Sequence, residues 1–561
     1  MIVGLSLALT IHGLAAFQQE SKLALSAEDH YQRALAAIQK HQWQPALREL
    51  QLALKIEPTS APAHNTLGWV LMQTGQYDGA LQEFRRAETL NPSLADAFYN
   101  QGKALEYKQD LERAIESYQN AIRLRPDWAE AHDALGFILA HRGNLLGAKT
   151  EFEAALKSDP EDGEAHYHLG LADWVGQDHP SALTHFQEAA RLRPGDPSVH
   201  YYLGLAYHEQ NKEGPAIDEL RKAIKLGPAS AQYHNALGLA LQRDGDAVEA
   251  AAEFRRALEI EPENADADNN LGLVLLGEGD GDGAIQAFRA AIKVSPSDVM
   301  ARNNLGLALL QKAQWEDAIR EYRELIALAP NDAEAYYNLG IALKQKENFD
   351  ESITSLRKAI ELNADLAEPH YTLGVILWQQ GKLDEAAAQF QAAIKVRPDY
   401  EQAHSILGSV LRQQGNLEAA ETELRTALGE DPSDAGAHQA LGMVYRQQRD
   451  ITKAGEEFQK AEDLNKEKMN RQAATLATNT GAQQLREGDV EGSIIKFREA
   501  LKESPDFAPA HFQLALALRQ KGDMAHASAE FARAQELDPH LKPPETATGL
   551  SSPGALDTRP R

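Results

Sequence analysis

Histidine is the reactive side chain that recurs most regularly. It stands at His30, His64, His132, His166, His200, His234, His370, His404, His438 and His511, and every step up to His438 is a multiple of 34 residues. Such a column could bind metal, move protons or sense pH. Metal binding needs its ligands side by side, whereas stacked helices put successive columns roughly 10 Å apart. The expected role is therefore packing. The chemical alternative is a pH response, in which buried imidazoles charge as pH falls through their pKa. Other reactive patterns are missing: there is no His-Glu-x-x-His, no Gly-x-Ser-x-Gly and no phosphate loop. Zero cysteines exclude disulfides, thiolate zinc sites and a cysteine nucleophile. The run Gly277-Glu-Gly-Asp-Gly-Asp-Gly283 looks like a calcium or phosphate loop. It lacks the further ligands and terminal Glu of a calcium loop and reads as a solvated turn. No catalytic, metal or cofactor site is expected, and the chain is not read as an enzyme.

The charge balance narrows the partners. Acids outnumber bases by 83 to 56, a formal charge of −27. This disfavours nucleic acid, which needs a basic footprint, and favours neutral or basic segments. With 43% hydrophobic residues, the chain has enough apolar surface to form a core.

The elements that position these residues follow from a strict repeat. Glycine stands at 68, 102, 136 and every 34 residues onward to 442, twelve times in all. Twelve residues after each glycine comes a small residue, such as Ala80, Ala114 or Ser352. Four later comes a large apolar one, such as Phe84, Tyr118, Phe254 or Leu424, and eight later usually proline, such as Pro92 or Pro262. Within 333–343 apolar residues recur three and four apart, the period of an amphipathic helix. Glycines 75, 143, 245, 381 and 415 fall where a left-handed cap would end this helix. A second amphipathic run follows, for example Asp384 to Val396, and proline stops it. Each repeat is thus a pair of helices, with glycine and alanine allowing close approach.

These columns resemble the tetratricopeptide repeat (TPR), and the likeness covers most of the chain. It implies an all-α, α-α superhelical solenoid of about fifteen 34-residue TPR units. Thirteen are in phase over 27–468, the first with Ala34 in the glycine column; an insertion or helical joint follows at 469–473, then two more repeats over 474–541. Lys466 stands where proline is expected, so 452–485 reads as one long helix or as two with a mobile joint. Residues 1–26 read as a signal peptide or N-terminal apolar segment, with Gly13-Leu14-Ala15-Ala16 similar to a signal-peptidase site. Export to a periplasmic or extracellular space is expected, with a cytoplasmic protein as the alternative. Residues 542–561 read as a disordered tail.

The same resemblance implies that first helices line an inner groove, with residues two before and one, four and five after the glycine facing inward. Two before stand Asn100, Asn270, Asn304, Asn338 and Asn479. This row is similar to the asparagine ladder in the repeat region of O-GlcNAc transferases. A carboxamide can pair with both groups of an extended peptide backbone. Trp69, Trp174 and Trp378 fall on groove columns too, as candidate anchors. The Lys and Asn of the chaperone-binding carboxylate clamp are missing from their columns. The expected function is a non-enzymatic scaffold binding extended peptide segments in the groove, with no stable membrane span after processing. Alternatives are a substrate-recruiting subunit of a separate enzyme, such as a glycosyltransferase, and an envelope assembly factor.

Overall fold

The computed structural model describes residues 25–542. The apolar segment at the start and the tail after 542 lie essentially outside them. The described residues form 29 α-helices and no strand. They make fifteen antiparallel hairpins, with one helix shared between two of them. The chain forms two compact bodies, divided between Asn304 and Leu305, and each is an α-solenoid of stacked hairpins.

A typical hairpin is Ala129–His141 followed by Leu145–Ser158. Second helices often start on an Asp or Asn cap; Asp280 Oδ1, for example, accepts from the Gly283 amide at 2.9 Å. The Gly277–Gly283 run is therefore a helix end, a turn and a helix start. The turn between first and second helix, three residues in thirteen repeats and two in the other two, contains a left-handed residue in all fifteen. Eight are glycines, including Gly75, Gly245 and Gly415, and seven are not, including Gln109, Ala313 and Arg449.

The glycine column marks where the two helices of a hairpin come closest. A Cβ on Gly136 would lie 2.6 Å from Cε1 of Phe152, whose ring is fully buried. Phe84, Tyr118, Phe186, Phe254 and Phe288 meet their own glycines in the same way. Gly136→Ala should destabilise its repeat by about 1–3 kcal/mol through overpacking, more than offsetting the roughly 1 kcal/mol helix preference for alanine. Gly79→Ala is the control, because its Cβ would meet only Leu71 Cδ1 at 3.4 Å. Urea denaturation of both variants, followed by far-UV circular dichroism, checks this: only Gly136→Ala should shift the midpoint down.

The insertion after the thirteenth repeat does not interrupt the backbone. Ile451–Arg486 is one helix of 36 residues, serving as second helix of one repeat and first helix of the next. With Lys466 in place of proline nothing stops the first run. Ala454, Glu457 and Ala461 are buried at one end, and Ala474, Thr478 and Gly481 at the other. No residue from Glu462 to Ala473 is buried, and Met469 is 69% exposed.

Candidate functional site

Curvature comes from unequal packing. First helices of neighbouring repeats touch directly, as 61–73 does with 95–107 and 231–244 with 265–277 in the first body, and 401–413 with 435–447 in the second. Successive second helices do not pack on one another as closely. A stack that is tighter on the first-helix side curves towards it, so first helices line the concave face of each body.

Positions six and two before and one and five after the glycine are spaced four, three and four residues apart. That spacing puts them on one face of the helix. Four rows therefore run across the concave face. The first is acidic in four of the seven glycine-marked repeats up to Gly272, at Asp96, Glu130, Glu164 and Asp266, the last three exposed. The third is apolar: Leu171, Leu205, Leu239 and Leu273 in the first body, and Leu307, Ile341 and Val375 in the second. The fourth is a run of exposed glutamines in five successive repeats of the second body: Gln311, Gln345, Gln379, Gln413 and Gln447. Sequence reasoning passed over this last row, although its 34-residue spacing was there to read.

The second row holds the asparagines, and the structure gives it an internal role. Nδ2 of Asn100 donates to Oδ1 of Asn65 at 3.1 Å, Asn270 to Asn235 at 3.2 Å and Asn304 to Asn269 at 2.9 Å. His168 Nδ1 and Asp133 Oδ1 make the same link at 2.8 Å. Each bond ties a first helix to the one before it. The Oδ1 of Asn100, Asn270 and Asn304 takes no part in these bonds, so an acceptor remains on each. Asn338 is half-buried, and Asn479, within the long helix, is exposed.

The three groove tryptophans are half-buried and lean on neighbours. Trp69 packs edge-on to Trp43 with centroids 5.9 Å apart, and Trp174 packs against His179 at 4.7 Å. Trp378 donates from Nε1 to Gln413 Oε1 at 3.3 Å, linking it to the glutamine row.

The histidine column lies between the two helices of each hairpin rather than in the groove. Its members are not simple packing residues. In eight repeats Nδ1 lies 2.5–2.6 Å from the glutamate nineteen residues later: Glu49, Glu83, Glu151, Glu219, Glu253, Glu423, Glu457 and Glu530. In seven of these, all but His30, Nε2 also reaches the carbonyl of the proline six residues earlier, at 2.8–3.4 Å. The hydrogen bond to Glu151 raises the His132 pKa against the effect of burial. Asp268 holds this column in another repeat, and burial pushes its carboxyl up to about 6. Among the described residues no cluster of three or more His, Cys, Asp or Glu is placed to hold a metal ion. No described helix is long and apolar enough to cross a membrane.

A family model described as a tetratricopeptide repeat matches residues 142–197, 174–231, 215–265, 235–299, 269–312, 371–435, 412–468 and 481–541. A second, described as a TPR repeat, matches 68–109, 102–143, 309–347 and 342–381. No curated protein matches the chain. Among solved structures it is similar to YrrB, a TPR protein with an unusual peptide-binding site, at 23% identity and a TM-score of 0.31, over 33% of this chain and 96% of that one. It is also similar to MamA from Desulfovibrio magneticus RS-1, at 25% identity and a TM-score of 0.29, over 30% of this chain and 96% of that one. Yeast Tom70 aligns at 16% identity and a TM-score of 0.32, over 75% of this chain and 96% of that one. With more than half of its length matched, repeat after repeat, this chain belongs to the tetratricopeptide repeat family.

Proposed function

We propose that the chain is a protein-interaction scaffold that binds extended, unstructured segments along the concave first-helix face. The observation that carries this reading is the set of parallel rows there. An apolar row can take alternate side chains of an extended strand. The amide rows beside it offer donors and acceptors to the strand's backbone, as in the asparagine ladder of O-GlcNAc transferases. The acidic residues of the first row, with the net charge of −27, favour neutral or basic segments. Nothing in this chemistry fixes a particular sequence. The reading is that of a carrier or organiser of partners, and export guided by residues 1–26 is part of the proposal.

The test is affinity capture from native extract with mass-spectrometric identification. The baits are the full chain and the triple variant Asn270→Ala, Asn304→Ala, Asn338→Ala, each checked by melting. Each lost amide contact should cost about 0.5–1.5 kcal/mol of binding. A partner captured by the unmutated chain should then bind the variant at least about tenfold more weakly. Identical partner lists and affinities would remove the asparagine row from the site.

A further inference from the structure

Seven of the histidines are caught between two groups that can only accept hydrogen bonds. The proline carbonyl requires a hydrogen on Nε2, and the glutamate carboxylate requires one on Nδ1. A neutral imidazole has a single N–H and would turn a lone pair on one acceptor. The ring that satisfies both is the imidazolium.

Exceptions within the chain obey the same rule. His370 faces the Gln389 carboxamide, Nδ1 to Oε1 at 2.8 Å, and Ala364 stands where the others have proline. A neutral ring suffices there. His166 meets Nδ1 of His185 at 3.2 Å, an arrangement that one donor and one lone pair satisfy. Burial holds His185 below the usual histidine range. Where the column holds Phe98, Asp268, Tyr336 or Ala477, the residue nineteen later is Ser117, Ala287, Ser355 or Lys496, never glutamate. Glutamate is present where there is a cation for it to hold.

Neighbouring cations hold two of the glutamates ionised. Lys222 Nζ lies 2.8 Å from the second oxygen of Glu219, and Lys460 2.8 Å from that of Glu457. Arg425, from the preceding second helix, also feels the Glu457 charge. Burial would raise the Glu457 pKa, but hydrogen bonds from Lys460 and His438 outweigh it and hold the carboxyl below its ordinary range. Glu151 is the one charged group that acts on His132.

We propose that the His132–Glu151 pair is a proton-loaded clasp, of a geometry that six other repeats share: it takes up a proton as its repeat folds, and the repeat loosens when alkali removes it. Each pair joins a first helix, its second helix and the loop that enters the repeat. A histidine held more basic than its unfolded value of about 6.5 stabilises fully below that pH, and its contribution is lost as pH rises through the folded value. A glutamate held more acidic stabilises above about 4.3 and loses this only as pH falls through its folded value. The fourth repeat is therefore tightest in mildly acidic solution. This reverses the direction expected for rings buried in neutral form, which acid would charge at a cost.

The test compares the full chain with the variant Glu151→Gln. Glutamine keeps an acceptor for Nδ1, as Gln389 does, but leaves no carboxylate to hold a second proton. Melting is followed from pH 5.5 to 9, and proton release on guanidinium unfolding is measured at pH 7.5. The unmutated chain should lose melting temperature as pH rises above about 6.5, with the variant flatter. It should also release up to about one more proton than the variant. Equal proton release would overturn the proposal. If the variant fails to fold, histidine-selective nitrogen NMR of the unmutated chain decides: His132 should be mainly doubly protonated at pH 7, and a neutral ring would overturn it.

Discussion

Replacing Phe254 with alanine should destabilise the seventh repeat by about 3–5 kcal/mol, the cost of emptying a buried aromatic site. The ring is fully buried against Gly238, with Leu237, Leu241, Ala250 and Leu271 in the same apolar cluster. The loss should stay local. A solenoid is held by the stability of each repeat and by contacts with its neighbours, so a cavity weakens those repeats and leaves distant ones intact. Hydrogen exchange should show lost protection over the hairpin 231–260 and the helices beside it, with protection retained near both ends. Uniform loss along the chain would contradict nearest-neighbour stabilisation. The glycine opposite provides a second check. Gly238→Ala alone should destabilise, because its Cβ would lie 2.6 Å from the ring. Combined with Phe254→Ala it should cost less than the sum, since the new methyl group enters the vacated space.

Met469→Pro should have the second largest effect, about 3 kcal/mol or more on the long helix. The position is exposed and lies within a stretch with no buried residue. The loss is that of helix continuity, not of packing. Each end of the helix still has its own hairpin to pack against, Ala435–Gln447 at one end and Val490–Glu503 at the other. The two ends should persist while the centre opens. Limited proteolysis checks this. The variant should be cut within 462–473 at protease concentrations that leave the unmutated chain whole, and should yield a resistant fragment containing the last two repeats. Met469→Ala, which keeps the helix, should be cut no faster than the parent.

The repeat was legible because its signals are local. Glycine, alanine, a large apolar residue and proline at fixed offsets describe a hairpin without reference to anything distant. Other features depend on contacts between elements. Five turn glycines suggested a left-handed cap, yet His41, Glu347 and Arg449 adopt the same conformation. There the packed hairpin imposes the turn at a local cost of about 1 kcal/mol. The asparagines were read as ligand-facing amides. Their bonds to Asn65, Asn235 and Asn269 depend on how closely successive first helices stack, which no single repeat discloses. The histidines were read as packing because a spacing of nineteen crosses from one helix to the next and follows no helical period. Comparing columns within the chain would have revealed the pairing, since glutamate follows eight of the ten histidines and Arg302, and gives way where the column holds Phe98, Asp268, Tyr336 or Ala477. At 452–485 the missing proline left two readings open, and the backbone takes the continuous one.

The unbroken 34-residue step has a consequence for how such a chain can change length. Through the twelve glycine-marked repeats, each junction joins the same kinds of residues at the same offsets. Excising or copying 34 residues anywhere in that stretch recreates a junction of the same kind, whichever column the cut falls in. Recombination between two copies of the coding sequence, misaligned by whole repeats, would therefore yield proteins that still stack. The shared helix at 451–486 is the exception, because its five extra residues turn the helical face by about 140°. Exchange across it would put the face of one repeat where another's is needed. Length is thus freely adjustable on one side of that helix and locked across it.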